Sequence, residues 1–279
     1  MRVITEELLT GFERALRSAG RAEGKAANYL RHVRAFAGWL DGAEATREAA
    51  IGWRGRLIER GYGPATVNAM LTALNRFFAH AGWDCCRAPL LRVQRRAFRD
   101  GGRELTRAEY ERLVAAAMGS GRERLALVME TICATGIRVS ELRYITVEAA
   151  RLGRAEISLK GKIRTILLPG KLCRKLRKYA AKNKTASGEI FLTGSGRSLG
   201  RKQIWAEMKA LCAEAGVAAG KVFPHNLRHL FARAFYRVSR DIVKLADVLG
   251  HSSIETTRIY LISTGAEHAK TLARLGLVV

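Results

Sequence analysis

The sequence predicts a mainly α-helical chain in two parts, with one small β-hairpin in the second part. Three observations predict it. Apolar residues recur at helical spacing through residues 1 to about 86. A basic segment, "RAPLLRVQRRAFRDGGRE" at 87–104, then interrupts the pattern with a proline and a glycine pair. Beyond it, helical patterning resumes around only two β-branched runs, "EISL" and "TILL", joined by "KGKIR". The expected domains are therefore residues 1–87 and 104–279, with 88–103 as a basic linker.

The first part reads as four helices. Leu8, Leu9, Phe12, Ala15 and Leu16 mark one face of the first, and Tyr29, Val33, Phe36 and Leu40 one face of the second. The third holds Ile51, Trp53, Leu57 and Ile58. The fourth opens at "GYGPAT", where Pro64 suits a first turn, and carries Val67, Met70, Leu71, Leu74, Phe77 and Phe78. In the second part, Thr106 and Glu109 have capping-box spacing at the start of "LTRAEYERLVAAA". A helix through "RLALVMETICA" follows, then the short "TGIRVSEL" element and the hairpin. Further helices are expected at about 200–215, 225–238, 241–249 and 253–262, and near the C-terminus.

Composition narrows the function. Forty-nine Lys and Arg against 25 Asp and Glu leave a formal charge of +24, which points to a polyanionic partner, nucleic acid ahead of an acidic membrane. Five cysteines without a Cys-x-x-Cys pair suggest neither a disulfide framework nor a zinc knuckle, and a reducing, cytoplasmic setting fits them. No apolar run approaches membrane-spanning length, and the N-terminus has no signal-peptide core. Neither a metal-ligand motif nor a glycine-rich phosphate loop occurs, so chemistry without a metal or other cofactor is the first expectation.

Four stretches carry residues suited to a phosphate. "PHNLRHLF" places His225, Arg228 and His229 on one helical face, where guanidinium and imidazole can share one anion. "TGIRVSEL" frames Arg138 between Gly136 and Glu141. "LKGKIR" offers Lys160 and Lys162 at the hairpin tip, either able to protonate a leaving alkoxide. "HSSIETTRIY" runs from His251 to Tyr260; Ser252 and Glu255 have capping-box spacing, which puts His251 just before a helix and Tyr260 about two turns along it. Each of these, taken alone, also fits a surface charge or a packed side chain. A phenol with an ordinary pKa near 10 attacks phosphorus only where positive charge surrounds the target.

In this order, "TGIRVSEL", "KGKIRTILLP", "PHNLRHLFA" and "LGHSSIETTRIY" resemble the tyrosine recombinase (phage integrase) family over residues 103 to about 265. "GPATVNAMLTALNRFFAHAG" resembles, more weakly, the family's helical core-binding domain. The resemblance implies a SAM-like four-helix core-binding domain and an α+β catalytic domain, closing as a C-shaped clamp with the linker across the duplex. It implies that Arg138 and Arg228 clamp the scissile phosphate and that His225 and His251 donate hydrogen bonds or move protons. Lys160, or Lys162, would protonate the leaving 5′ oxygen, and Tyr260 would form a 3′-phosphotyrosine, with Glu141 and His229 supporting. The hairpin turn is about one residue shorter than the family's usual pattern.

The implied partners are double-stranded DNA with specific core sites, four protomers on two duplexes, and room for an accessory directionality factor. The implied setting is the nucleoid, in service of a mobile element or of the chromosome. DNA contacts are expected at Lys25, Arg31 and Arg34 on the second helix, at position 75 on the fourth, where Asn75 precedes Arg76, and at Arg92, Arg95 and Arg96 in the linker. With no arm-binding domain before the four helices, the compact, Xer-like type is the expected one. "AEHAKTLARLGLVV" is apolar enough at Ala266, Ala269, Leu272, Leu275 and Leu277 to dock on a neighbour or on its own domain. Two rivals stay open, a type IB topoisomerase and a DNA-binding regulator that keeps the fold without the reaction.

Overall fold

The computed structural model describes residues 2–92, 101–159, 162–251, 253–261 and 273–275. Its chain forms two compact units, Met1–Arg95 and Arg96–Val279.

The first unit is a four-helix bundle of α1 (Glu6–Ser18), α2 (Glu23–Leu40), α3 (Arg47–Glu59) and α4 (Pro64–His80). Thr5 and Thr46 cap α1 and α3 by accepting from Leu8 N and Ala49 N, and Pro64 opens α4. Phe12, Phe36, Trp53, Phe77 and Phe78 fill the core, with Phe12 against Phe77 and Phe36 against Phe78 edge to face at 5.5 and 6.0 Å. Ile58, read as a core position, is 48% exposed, because the buried stripe of α3 runs through Ala50, Trp53 and Leu57. Residues 88–91 are held along α4 by two asparagines two turns apart. Asn75 exchanges hydrogen bonds with Ala88 (3.0 and 2.8 Å), and Asn68 with Leu91 (2.8 and 2.9 Å).

The second unit opens with α5 (Arg107–Gly119), capped by the Thr106–Glu109 box, and is built around α6 (Glu123–Thr135). That helix is buried on nearly all sides, so the hydroxyls of Thr131 and Thr135 bond back to Leu127 O and Thr131 O at 2.7 and 2.6 Å. A 3₁₀ turn over Val139–Tyr144 follows, then α7 (Val147–Leu152), the strands β1 (Arg154–Leu159) and β2 (Lys162–Leu167), and α8 (Gly170–Lys182). The remaining helices are α9 (Arg201–Lys209), α10 (Pro224–Ser239), α11 (Ile242–Leu249) and α12 (Ile254–Arg258).

Three details differ from the sequence reading. Helices α7 and α8 were not anticipated; α8 carries six Lys and Arg, and its buried side is only Leu172, Cys173, Leu176 and Ala180. The strands are antiparallel from Arg154↔Leu167 to Leu159↔Lys162, longer than the β-branched runs. Helix α12 is capped by Ser253, which accepts from Glu255 N at 3.3 Å, rather than by position 252, which lies outside the described residues. Tyr260 therefore sits in the turn just past α12.

Helix α6 ends on Gly136 in the left-handed conformation (φ +67°). A Cβ there would overlap the Phe231 ring and come within 2.9 Å of Leu249 Cδ2. Gly136→Ala should thus combine backbone strain with a clash and cost about 2–4 kcal/mol in chemical denaturation. A change near zero would show that this packing yields.

Candidate active site

Two helix C-termini meet under one buried guanidinium. Gly136 closes α6 and Gly250 (φ +64°) closes α11; Arg138 comes two residues after the first and His251 directly after the second. Arg228, on the first turns of α10, is 2% exposed. One of its Nη groups donates to Gly136 O, and the other donates to Leu249 O at 2.8 Å and lies 2.9 Å from His251 Nε2. The carbonyls a helix leaves unpaired at its end are here satisfied by a cation, which the helix dipoles also favour.

A second buried group, Glu141, orients Arg138. Its carboxylate accepts from the Arg138 backbone N (2.6 Å) and from Arg138 Nη1 (3.0 Å), leaving that side chain 42% exposed. The same carboxylate accepts from Arg164 Nη2 at 2.6 Å. Arg164 is inward-facing on β2, and burial pulls its pKa below the usual guanidinium range. Two guanidiniums thus converge on one carboxylate, with the Arg228 guanidinium held by carbonyls, an excess of positive charge that an anion would complete.

Tyr260 is 3% exposed. Its ring lies 4.4 Å from that of His229, 5.9 Å from His225 and 5.7 Å from His251, the last nearly parallel. Burial lowers the Arg228 pKa. His251 Nδ1 lies 2.8 Å from Thr257 Oγ1. Since Arg228 can only donate, His251 Nε2 accepts, and Nδ1 carries the proton toward Thr257. Burial, then Arg228, Arg138 and Arg164, push the His251 pKa down to about 4, so the ring is neutral near pH 7.

The family model for the phage integrase family matches residues 103–267. The chain belongs to the phage integrase family of tyrosine recombinases, enzymes that cleave and rejoin DNA. It is 28% identical over 261 residues to tyrosine recombinase XerA of Thermococcus kodakarensis, covering 91% of this chain and 90% of that relative. It is 31% identical over 229 residues to tyrosine recombinase XerD of Brucella suis, covering 73% and 74%. Among solved structures, a lambda integrase tetramer bound to a Holliday junction shares the fold with a TM-score of 0.74 at 19% identity, over 91% of this chain and 76% of that one.

In this recombinase the structure brings together Arg138, Glu141, His225, Arg228, His229, His251 and Tyr260. Lys160 lies outside the described residues, and Lys162 is described as backbone only, paired with Leu159. Lys25, Arg31 and Arg34 are exposed on α2, where Lys25 lies over the Tyr29 ring and Arg34 pairs with Glu6 at 3.3 Å. Position 75 offers no cation, since Asn75 is spent on Ala88; the exposed cation is its neighbour Arg76. Arg92 is exposed, and Arg95 and Arg96 lie outside the described residues. Among the described residues no His, Cys, Asp and Glu cluster could hold a metal, and no helix is long and apolar enough to cross a membrane.

The sequence reading missed two features of the recombinase. One is Arg164. The other is a cleft of about 510 Å3 beside Arg138, His225 and Arg228, walled by Arg201, Lys202 and Trp205 of α9. Trp205 is 48% exposed there, an aromatic surface among cations.

The depressed His251 pKa sets a sign for pH dependence. The unfolded chain takes up this proton near 6.5 and the fold only near 4, so the associated stability is full above 6.5 and is lost as pH falls through 4. Chemical denaturation at about pH 7 and about pH 4.5 should show a larger loss for the wild type than for His251→Gln. Equal losses would mean the ring is not held neutral.

Proposed function

We propose that Tyr260 is the nucleophile of a site-specific recombination reaction on duplex DNA. The single observation that carries this is the placement of its buried phenol inside a ring of three imidazoles, one of which, His251, lies 2.9 Å from an Arg228 Nη. Arg138 and Arg228 hold the scissile phosphate, with His225 and His251 beside it. The Tyr260 oxygen attacks phosphorus, its proton passes to a neighbouring imidazole, and the bond from phosphorus to the 5′ oxygen breaks. A lysine at the hairpin tip, Lys160 or Lys162, returns a proton to that oxygen. The product is a 3′-phosphotyrosine and a free 5′-hydroxyl; attack by the 5′-hydroxyl of another strand reverses the steps and rejoins the DNA.

The electrostatics support this assignment. Developing charge on the five-coordinate phosphorus meets one guanidinium already desolvated and fixed by protein carbonyls, Arg228, and a second aimed by Glu141, Arg138, so little reorganisation is needed as it forms. The carbonyl bonds of Arg228 use its fork geometry, which a lysine cannot reproduce. Retention of the phosphodiester's bond energy in the tyrosyl link explains how strands rejoin without a nucleotide cofactor.

We further propose that the first unit, with Lys25, Arg31, Arg34, Arg76 and Arg92, contributes phosphate contacts on core DNA. Four protomers would act on two duplexes, as the lambda integrase neighbour is a tetramer on a Holliday junction. An intracellular, nucleoid-bound setting follows from that substrate.

The test is capture of SDS-stable adducts on DNA fragments flanking the gene. Wild type should form adducts at paired sites, and Tyr260→Phe should bind equally and form none; adducts in that variant would move the nucleophile elsewhere, and scattered wild-type adducts would indicate a topoisomerase. Arg138→Lys or Arg228→Lys should each slow cleavage by about 10²–10³-fold. Chelator should leave the wild-type rate unchanged, and strict dependence on magnesium would contradict the mechanism.

A further inference from the structure

Arg164 stands where the hairpin, the Arg138 turn and the His251 turn meet. Along β2, Ile163 and Leu167 are 75% and 76% exposed, while Ile166 and Leu168 are buried. Side chains alternate across a strand, so Arg164 shares the inward face with Ile166 and Leu168. Its side chain is 16% exposed. Burying a guanidinium at that place is costly unless it is paired. Its Nη2 donates to Glu141 at 2.6 Å, and its Nη1 to Val248 O at 3.2 Å, one residue before the carbonyl that Arg228 takes.

The fit extends to Gly250. A Cβ at that glycine would come within 2.5 Å of Arg164 Cδ and 2.6 Å of its Nη1, so the guanidinium lies flat on the backbone that delivers His251. One side chain therefore touches the acid that aims Arg138 and the helix end that aims His251.

We propose that Arg164 is a positioning residue. Through Glu141 and the C-terminal end of α11, it sets the spacing between Arg138 and His251 and so the width of the phosphate site. The inference rests on the reading of those two residues as phosphate contacts. It also gives β2 a second role, because Arg164 ties that strand to the phosphate clamp through Glu141 and Val248 O.

The experiment uses the full chain and a pool of nicked duplexes with randomised cores, from which wild-type adducts are sequenced and one captured duplex is rebuilt. Adduct rate at saturating protein, DNA affinity and thermal stability are then compared for wild type, Arg164→Met and Arg164→Lys. The rebuilt duplex is used with an ordinary phosphodiester and with a sulfur replacing the leaving 5′ oxygen, which departs without a proton. Arg164→Met should bind as wild type and form adduct roughly 100-fold more slowly on both linkages. Arg164→Lys, able to reach Glu141 or Val248 O but not both, should recover part of the rate.

Wild-type rates in Arg164→Met would overturn the inference alone. So would full recovery with the sulfur substrate, which would assign the defect to the leaving-group acid, or loss of DNA affinity in step with cleavage, which would make the residue structural. If Arg164→Met does not fold, Arg164→Lys decides by the same readings, a rate equal to wild type overturning the inference. Failure of the wild type to form any adduct would instead overturn the Tyr260 reading, and this inference with it.

Discussion

The bond that the rest of this site depends on is the one between Arg228 and the carbonyls of Gly136 and Leu249. Each of those carbonyls ends a helix, and each helix is followed by a residue suited to hold a phosphate. Neither α6 nor α11 could otherwise finish in the protein interior, because the last carbonyls of a helix have no partner of their own. By satisfying both, Arg228 makes the positions of Arg138 and His251 a property of the core rather than of two loops. It also explains the two glycines, since both helices must turn sharply beside a packed side chain.

That construction has an electrostatic consequence. Arg138 and Arg164 share a single buried carboxylate, Arg228 is held by carbonyls, and the His251 imidazole beside it is held neutral near pH 7. The arrangement leaves net positive charge in a desolvated place, which costs stability unless an anion arrives. In the structure the buried Tyr260 ring lies nearly parallel to the His251 ring, whose Nε2 accepts from Arg228.

Much of this was legible in the sequence, because it rests on local rules. The four helices of the first unit follow from apolar spacing, and the start of α5 from the Thr106–Glu109 pair. His225, Arg228 and His229 fall together because three and four residues make a helical turn. What was not legible has identifiable causes. Helix α8 is so rich in Lys and Arg that its narrow buried stripe gives little apolar signal. Arg164 hides in a strand where the charged residue points inward and Ile163 and Leu167 point outward; only its parity with Ile166 and Leu168 betrays it. The register of the α12 cap turned on which of two adjacent serines reaches Glu255 N. That Asn68 and Asn75 hold the following segment against α4 is a tertiary fact with no local signature.

The most direct measurement of the central claim is to identify the atom that holds DNA. Wild-type adduct would be digested with nuclease and trypsin, and the residual nucleotide located by mass spectrometry. Tyr260 lies between the tryptic sites at Arg258 and Lys270, in a peptide that also contains Ser263 and Thr264. The account predicts a nucleotide joined through its 3′ phosphate to Tyr260, with a free 5′-hydroxyl on the other DNA end. Attachment to either hydroxyl of that peptide, to another tyrosine, or through a 5′ phosphate would contradict it.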